Sequence, residues 1–112
     1  MKILFDQGTP VPLRRALSAH EVATAYERGW GEKQNGDLLR AAEAEGFEAI
    51  IITTDQNLRY QQNLSERRLA VLVLLTTDWR IIRSHIDSVE AAVGALQPGD
   101  YRELPFPSRA LN

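Results

Sequence analysis

The chain contains no cysteine. That excludes a disulfide framework, a thiol nucleophile and a cysteine-based zinc site, and it suits a reducing compartment. Long apolar runs are missing too: the longest, residues 69–75, falls far short of the roughly 20 residues that a membrane-spanning helix needs. No charge of one sign dominates. Thirteen Lys and Arg against fifteen Asp and Glu leave a net charge of −2, which argues against a broad basic surface for gripping nucleic acid. A local groove built from Arg14, Arg15, Arg59, Arg67 and Arg68 is compatible with that balance, although solvated surface charges and helix-end partners are the commoner use of arginine. Lysine is limited to Lys2 and Lys33, and histidine to His20 and His85, whose spacing fits no zinc site. The N-terminus passes from Lys2 into a strand-like run without a signal-peptide pattern, so a soluble cytoplasmic protein is expected, with no membrane partner.

At 112 residues the chain has the size of one domain with one hydrophobic core. Residues 2–5 read as a short buried strand. Thr9-Pro10-Val11-Pro12 sets up a helix start, because proline is tolerated in a first turn, and Leu13, Ala16 and Leu17 share one face of that helix. Residues 20–26 alternate loosely around Val22 and Ala25 as a second strand. Glycines bracket a loop over 29–36. Residues 37–45 are rich in helix formers and Gly46 suits a C-terminal stop. The nearly continuous apolar runs 48–54 and 69–75 are expected of strands covered on both faces, and the polar stretch 57–63 between them reads as a short helix or loop. After Asp78, apolar residues recur at Ile82, Ile86, Val89, Val93 and Leu96, which predicts one long helix. Pro98-Gly99 turns the chain into a candidate edge strand over 101–104, and Pro105 and Pro107 end the pairing, leaving the last ~8 residues as a tail. This alternation predicts a single α/β domain over 1–112, with a mostly parallel sheet of about five strands and helices on both faces.

Two of the strand-like runs end in an aspartate, Ile3-Leu4-Phe5-Asp6 and Ile52-Thr53-Thr54-Asp55, and a third, Asp37, opens a helix. Ligand chemistry in open α/β sheets gathers just outside the carboxyl ends of the strands. Like charges gathered there are costly unless a cation neutralises them, and a hard divalent ion with oxygen ligands is the usual solution. Asp6, Asp37 and Asp55 are therefore the predicted metal ligands and catalytic acids. The plainer reading has Asp6 and Asp55 bonding their own turns and Asp37 capping its helix. Asp78 reads first as the N-cap of the long helix and only second as a fourth acid. Thr54, Asn57, Arg59 and Lys33 are candidate substrate contacts, and Gln7 and Gln56 can reach a substrate or metal-bound water. His20 and His85 read as packing residues. Trp30 reads first as packing its loop and second as a base-stacking group.

The order of these motifs resembles the small bacterial PIN-like domains grouped with VapC-type toxin nucleases: a first strand ending in Asp6, a proline-led helix, Asp37 opening a Leu-Leu-x-x-Ala-Ala helix, and a strand ending Thr54-Asp55. The resemblance covers roughly residues 1–96. It implies a three-layer α/β/α sandwich and a Mg²⁺- or Mn²⁺-dependent endoribonuclease site with Asp6, Asp37 and Asp55 as the matching acids. Single-stranded or structured RNA would be the substrate, a small antitoxin protein a partner, and a homodimer the expected assembly, for which the 101–104 edge offers a surface. Gln7-Gly8 stands where members commonly have an acid and an asparagine. Asn57 stands where they often have a further aspartate. Fewer carboxylates imply weaker metal binding, with one ion in place of two.

Two other readings start from the same residues. A catalytically weakened PIN-like module would bind a protein or a regulatory RNA without cutting it. A receiver-like phosphoacceptor domain would use Asp55 with Thr76 or Thr77, but it needs a lysine after the last strand.

Overall fold

The computed structural model describes residues 1–54 and 68–107. Five parallel strands form one sheet: β1 (Lys2–Phe5), β2 (Glu21–Thr24), β3 (Ala49–Thr53), β4 (Ala70–Leu74) and β5 (Tyr101–Leu104), in the spatial order β2-β1-β3-β4-β5. The sequence explains which strands are central. Every residue of β3 and β4 is buried, as their unbroken apolar runs require, whereas β2 and β5 carry exposed polar residues and lie at the two edges.

Among the described residues, helices α1 (Leu13–Ala16), α2 (Asn35–Ala44), α3 (Trp79–Arg83) and α4 (Ile86–Gly94) accompany the sheet. Period-2 alternation along each strand sorts its side chains between two cores. Ile3, Phe5, Ile51, Leu72 and Leu74 meet Leu13 and Leu17 beside α1 and Ile82, Val89 and Val93 of α3 and α4. Leu4, Ile50, Ile52, Val71 and Val73 meet Leu38, Leu39 and Ala42 of α2 on the other face. The three layers of the expected sandwich are thus present. No helix among the described residues is long and apolar enough to cross a membrane.

From β1 the chain steps outward to β2, then crosses back over β1 to β3. The direction reverses between β1 and β3, which is where a crevice opens at the carboxyl ends of such sheets. The crossovers also differ in hand. Those joining β1 to β2 and β4 to β5 pack on one face yet run in opposite directions along the sheet, so they are of opposite hand. The β2–β3 connection, on the other face through α2, shares the hand of the first. The β4–β5 connection therefore differs in hand from the other two.

One expectation is corrected. The predicted long helix after Asp78 is two helices, interrupted at Ser84 and His85. Both side chains divert to backbone carbonyls: the Ser84 hydroxyl donates to Arg80 O at 2.9 Å, and His85 Nδ1 lies 2.9 Å from Ile81 O, so Nδ1 carries the proton. The apolar spacing survives because Ile82, Val89 and Val93 all reach the same core across the bend. Asp78 does cap α3, accepting the Arg80 N–H at 2.9 Å. Its hydrogen-bonded ion pair with the Arg80 guanidinium holds its carboxyl below the usual range. His85 meets the ring of Phe106 edge-on, with centroids 5.7 Å apart, as a packing residue. The 57–63 segment lies outside the described residues.

The central strands should dominate stability. Leu72→Ala removes a fully buried side chain from β4 and should cost about 2–5 kcal/mol, while Leu104→Ala on the half-buried edge should cost clearly less. Urea unfolding monitored by circular dichroism measures both.

Candidate functional site

Asp6 follows β1 directly, and its N–H still donates to Ile51 O of β3 at 3.0 Å. Its backbone is therefore held by the sheet while its side chain is free to turn. Oδ1 accepts from the Gly8 N–H at 3.2 Å and from the Thr9 hydroxyl at 2.6 Å, closing a turn over the end of the strand. Burial pushes the Asp6 carboxyl above the usual carboxylate range. Hydrogen bonds from the Thr9 hydroxyl and from the backbone of Gly8, Thr9 and Thr53 oppose that shift without cancelling it.

The geometry has a physical consequence at Thr9. Its hydroxyl lies 2.6 Å from Asp6 Oδ1 and 2.9 Å from Ile51 O, but it owns only one proton. With Asp6 ionised, that proton serves the carboxylate and Ile51 O forgoes it. With Asp6 protonated, the carboxyl donates to Thr9 and Thr9 donates to Ile51 O, so both contacts are satisfied. The Thr9 and Gly8 donors favour the ionised acid, while desolvation favours the protonated one and outweighs them.

Beneath this turn lies Thr53, at the end of β3. It is 6% exposed, and its hydroxyl oxygen has no hydrogen-bond partner among the described residues. Gly8 makes the gap beside it. A Cβ at residue 8 would sit 3.1 Å from Thr53 Oγ1 and 3.9 Å from Asp6 Oδ1. The missing side chain thus leaves room between a desolvated carboxyl and an unsatisfied hydroxyl.

Asp6 opens onto a cleft of about 600 Å³ at the reversal between β1 and β3. Its walls are Gln7, residues 31–34 of the β2–α2 loop, Leu38 and Leu39 of α2, and Ile52 of β3. Gln7 builds one of those walls. Its amide nitrogen donates to Trp30 O at 3.0 Å and to Lys33 O at 2.8 Å, pinning the loop to the exit of β1. A smaller cavity, about 370 Å³, opens at the amino edge of the sheet beside Phe47, Ala70 and Leu96, away from these groups.

Of the residues predicted from sequence, Asp6, Gln7 and Lys33 share the cleft. Asp37 sits inside the first turn of α2, behind Gln34 as N-cap; its side chain is two-thirds exposed and ion-paired to Arg40 three residues on. Thr54 continues the β3–β4 ladder, its N–H donating to Leu74 O at 3.0 Å. Asp55, Gln56, Asn57, Arg59 and Arg67 lie outside the described residues. Among the described residues, no three acidic or histidine side chains gather closely enough to hold a metal ion. Trp30 packs: its ring meets Phe47 edge-on, with centroids 6.2 Å apart, and the Arg28 guanidinium lies over it at 5.2 Å.

Sequence reading did not find the roles of Thr9, Gly8 or the Gln7 clamp, because all three depend on β3 and the loop arriving beside β1. Comparison with protein-family models, curated proteins and solved structures returns no match for the chain.

The raised Asp6 pKa fixes the sign of a pH effect. The unfolded chain loses this proton at the ordinary carboxylate value while the folded state keeps it to a higher pH. Between those two values the native state binds more protons, so stability falls as pH rises through the window. Asp6→Asn has no such loss. The variant should melt higher than the parent at pH 7, and the difference should shrink as pH falls below the ordinary carboxylate value. Thermal melts across that range measure it; a variant that melts lower at pH 7 would contradict the assignment.

Proposed function

We propose that this chain is a Mg²⁺- or Mn²⁺-dependent endoribonuclease of the PIN type, with Asp6 as its anchoring carboxylate. The observation that carries the reading is Asp6 itself: a desolvated acid at the sheet's reversal point, opening on a cleft that also holds Lys33. Acids whose pKa is shifted by desolvation in a cleft cluster at functional sites.

The donor set suits a hard cation. An Asp6 carboxylate and the unsatisfied Thr53 hydroxyl are oxygen donors beside the gap at Gly8. Asp55 is next in sequence after Thr54 and supplies the second carboxylate of the proposed set. Asp37 would join as a direct or water-bridged ligand. Its present pair with Arg40 is solvent-exposed, and such pairs are worth about 0–1 kcal/mol, so releasing it costs little. When bound, the ion would acidify a water and stabilise charge on the scissile phosphate. The chain's own residues set the stage for that chemistry. Thr9 fixes the Asp6 rotamer, Gln7 holds the loop against the exit of β1, and Lys33 offers a cation to a neighbouring phosphate. The β5 edge would receive a second copy or a small antitoxin-like partner.

A binding module without cleavage is the second reading, favoured by the engagement of Asp37 with Arg40 and of the Gln7 amide with two carbonyls. The receiver-like alternative has less support, since Pro105, Phe106 and Pro107 follow β5 where a lysine is needed.

Purified protein with Mn²⁺ should cut single-stranded RNA. Asp6→Asn and Asp55→Asn should each lower the rate by more than the roughly 10- to 100-fold lost with an outer-shell partner of a metal. Mn²⁺ should also raise the melting temperature of the parent, by binding the native state, but not that of Asp6→Asn. Equal shifts in both proteins would move the ion elsewhere. Metal binding at Asp6 without cleavage of varied RNAs would favour the binding module.

A further inference from the structure

Tyr26 is the most exposed large apolar residue among those described, at 68%. An exposed aromatic ring is commonly a solvated accident, but this one is held. It lies in the sequence Thr24-Ala25-Tyr26-Glu27, which carries the reciprocal bonds of a capping box. The Thr24 N–H donates to Glu27 Oε1 at 3.0 Å, and the Glu27 N–H donates to Thr24 Oγ1 at 3.1 Å. Arg14 adds an ion pair to the same Glu27 oxygen at 2.6 Å. The turn that presents the ring is therefore fixed from both sides.

The ring is also placed. It leans on Gly31, where a Cβ would come within 2.8 Å of two ring carbons, so only glycine admits the contact. Gly31 belongs to the wall of the Asp6 cleft, two residues from Lys33. The Lys33 ammonium has no ion-pair partner among the described residues, whereas Arg14 and Arg28 are paired with Glu27 and Glu45. A rigid aromatic surface, an unpaired ammonium and a carboxyl cleft thus lie along one loop.

We infer that Tyr26 is a stacking platform for an unpaired nucleobase of a single-stranded RNA whose backbone passes Lys33 into the Asp6 cleft. Every base has a π-face, so stacking of this kind is tolerant of sequence, and it requires a strand whose bases are not already paired. The preorganised turn spares the ordering cost that a mobile side chain would incur on binding. The inference rests on the proposed function for its choice of RNA, but it concerns binding and not cleavage.

The test is fluorescence anisotropy in EDTA with a labelled single-stranded oligoribonucleotide, its duplex, and an abasic strand of equal length. The proteins are the parent, Tyr26→Ala and Tyr26→Phe, each checked for an unchanged melt. Tyr26→Ala should weaken single-strand binding about tenfold, within the range of one base–aromatic stack. Tyr26→Phe should stay within about twofold of the parent. The parent's preference for the strand with bases over the abasic strand should collapse in Tyr26→Ala, which a purely structural role would not cause. Equal binding by parent and Tyr26→Ala, an equal loss on the abasic strand, or a parent that binds no single strand would each overturn the inference. Tyr26-dependent binding by a protein that cuts nothing would uphold the stacking site and overturn the nuclease. Cleavage with an unchanged KM in Tyr26→Ala, together with equal binding, would do the reverse.

Discussion

The parallel pairing of β1 with β3 is the constraint on which the rest depends. Ile3, Leu4 and Phe5 stand beside Ala49, Ile50 and Ile51, and the ladder continues one step further through the Asp6 N–H and Ile51 O. Both strands are buried on both faces, so their register cannot slip without moving each apolar side chain to the wrong core. That register brings Asp6, Thr9 and Thr53 together from segments more than forty residues apart. The helices follow from it: α2 covers one face while α1, α3 and α4 cover the other.

The same register places a partly buried carboxyl at the mouth of the cleft. Partial burial disfavours the charged form of Asp6, and the Thr9 hydroxyl softens that cost without removing it. Polar satisfaction is otherwise high around the site. Asp78 is bonded to its helix, Glu27 to its turn and Gln7 to its loop. Against that background stand an acid held above its ordinary pKa and, at Thr53, a buried hydroxyl with no partner among the described residues. They flank the same glycine.

The loop between β2 and α2 has its own logic. Gln7 grips its middle, Trp30 anchors it on Phe47, and the Thr24–Glu27 box fixes its start. Three independent restraints on one loop hold the far wall of the cleft against β1. The two tryptophan and tyrosine side chains divide the work: Trp30 faces inward and packs, while Tyr26 faces outward over Gly31. From sequence, Trp30 in its glycine-flanked loop reads first as a packing residue and second as a stacking group. Its partly buried ring, packed against Phe47 and covered by Arg28, agrees with the first of these.

Much of this fold is determined by the sequence itself. Unbroken apolar runs at 48–54 and 69–75 determine buried central strands, alternation with helix-forming segments determines parallel pairing, and the aspartate after Phe5 determines that an acid stands at a strand exit. These are local or periodic properties, and a chain cannot satisfy them in many ways. The tertiary structure alone decided the rest. Helix breakage at Ser84 and His85 turns on side chains finding backbone carbonyls, against a period that predicts continuity. The clamp made by Gln7 and the close approach of Gly8 to Thr53 are meetings between segments, with no signature in either one. Asp6 shows the division most clearly: its position was legible, but its raised pKa comes from desolvation, and desolvation belongs to the packed whole.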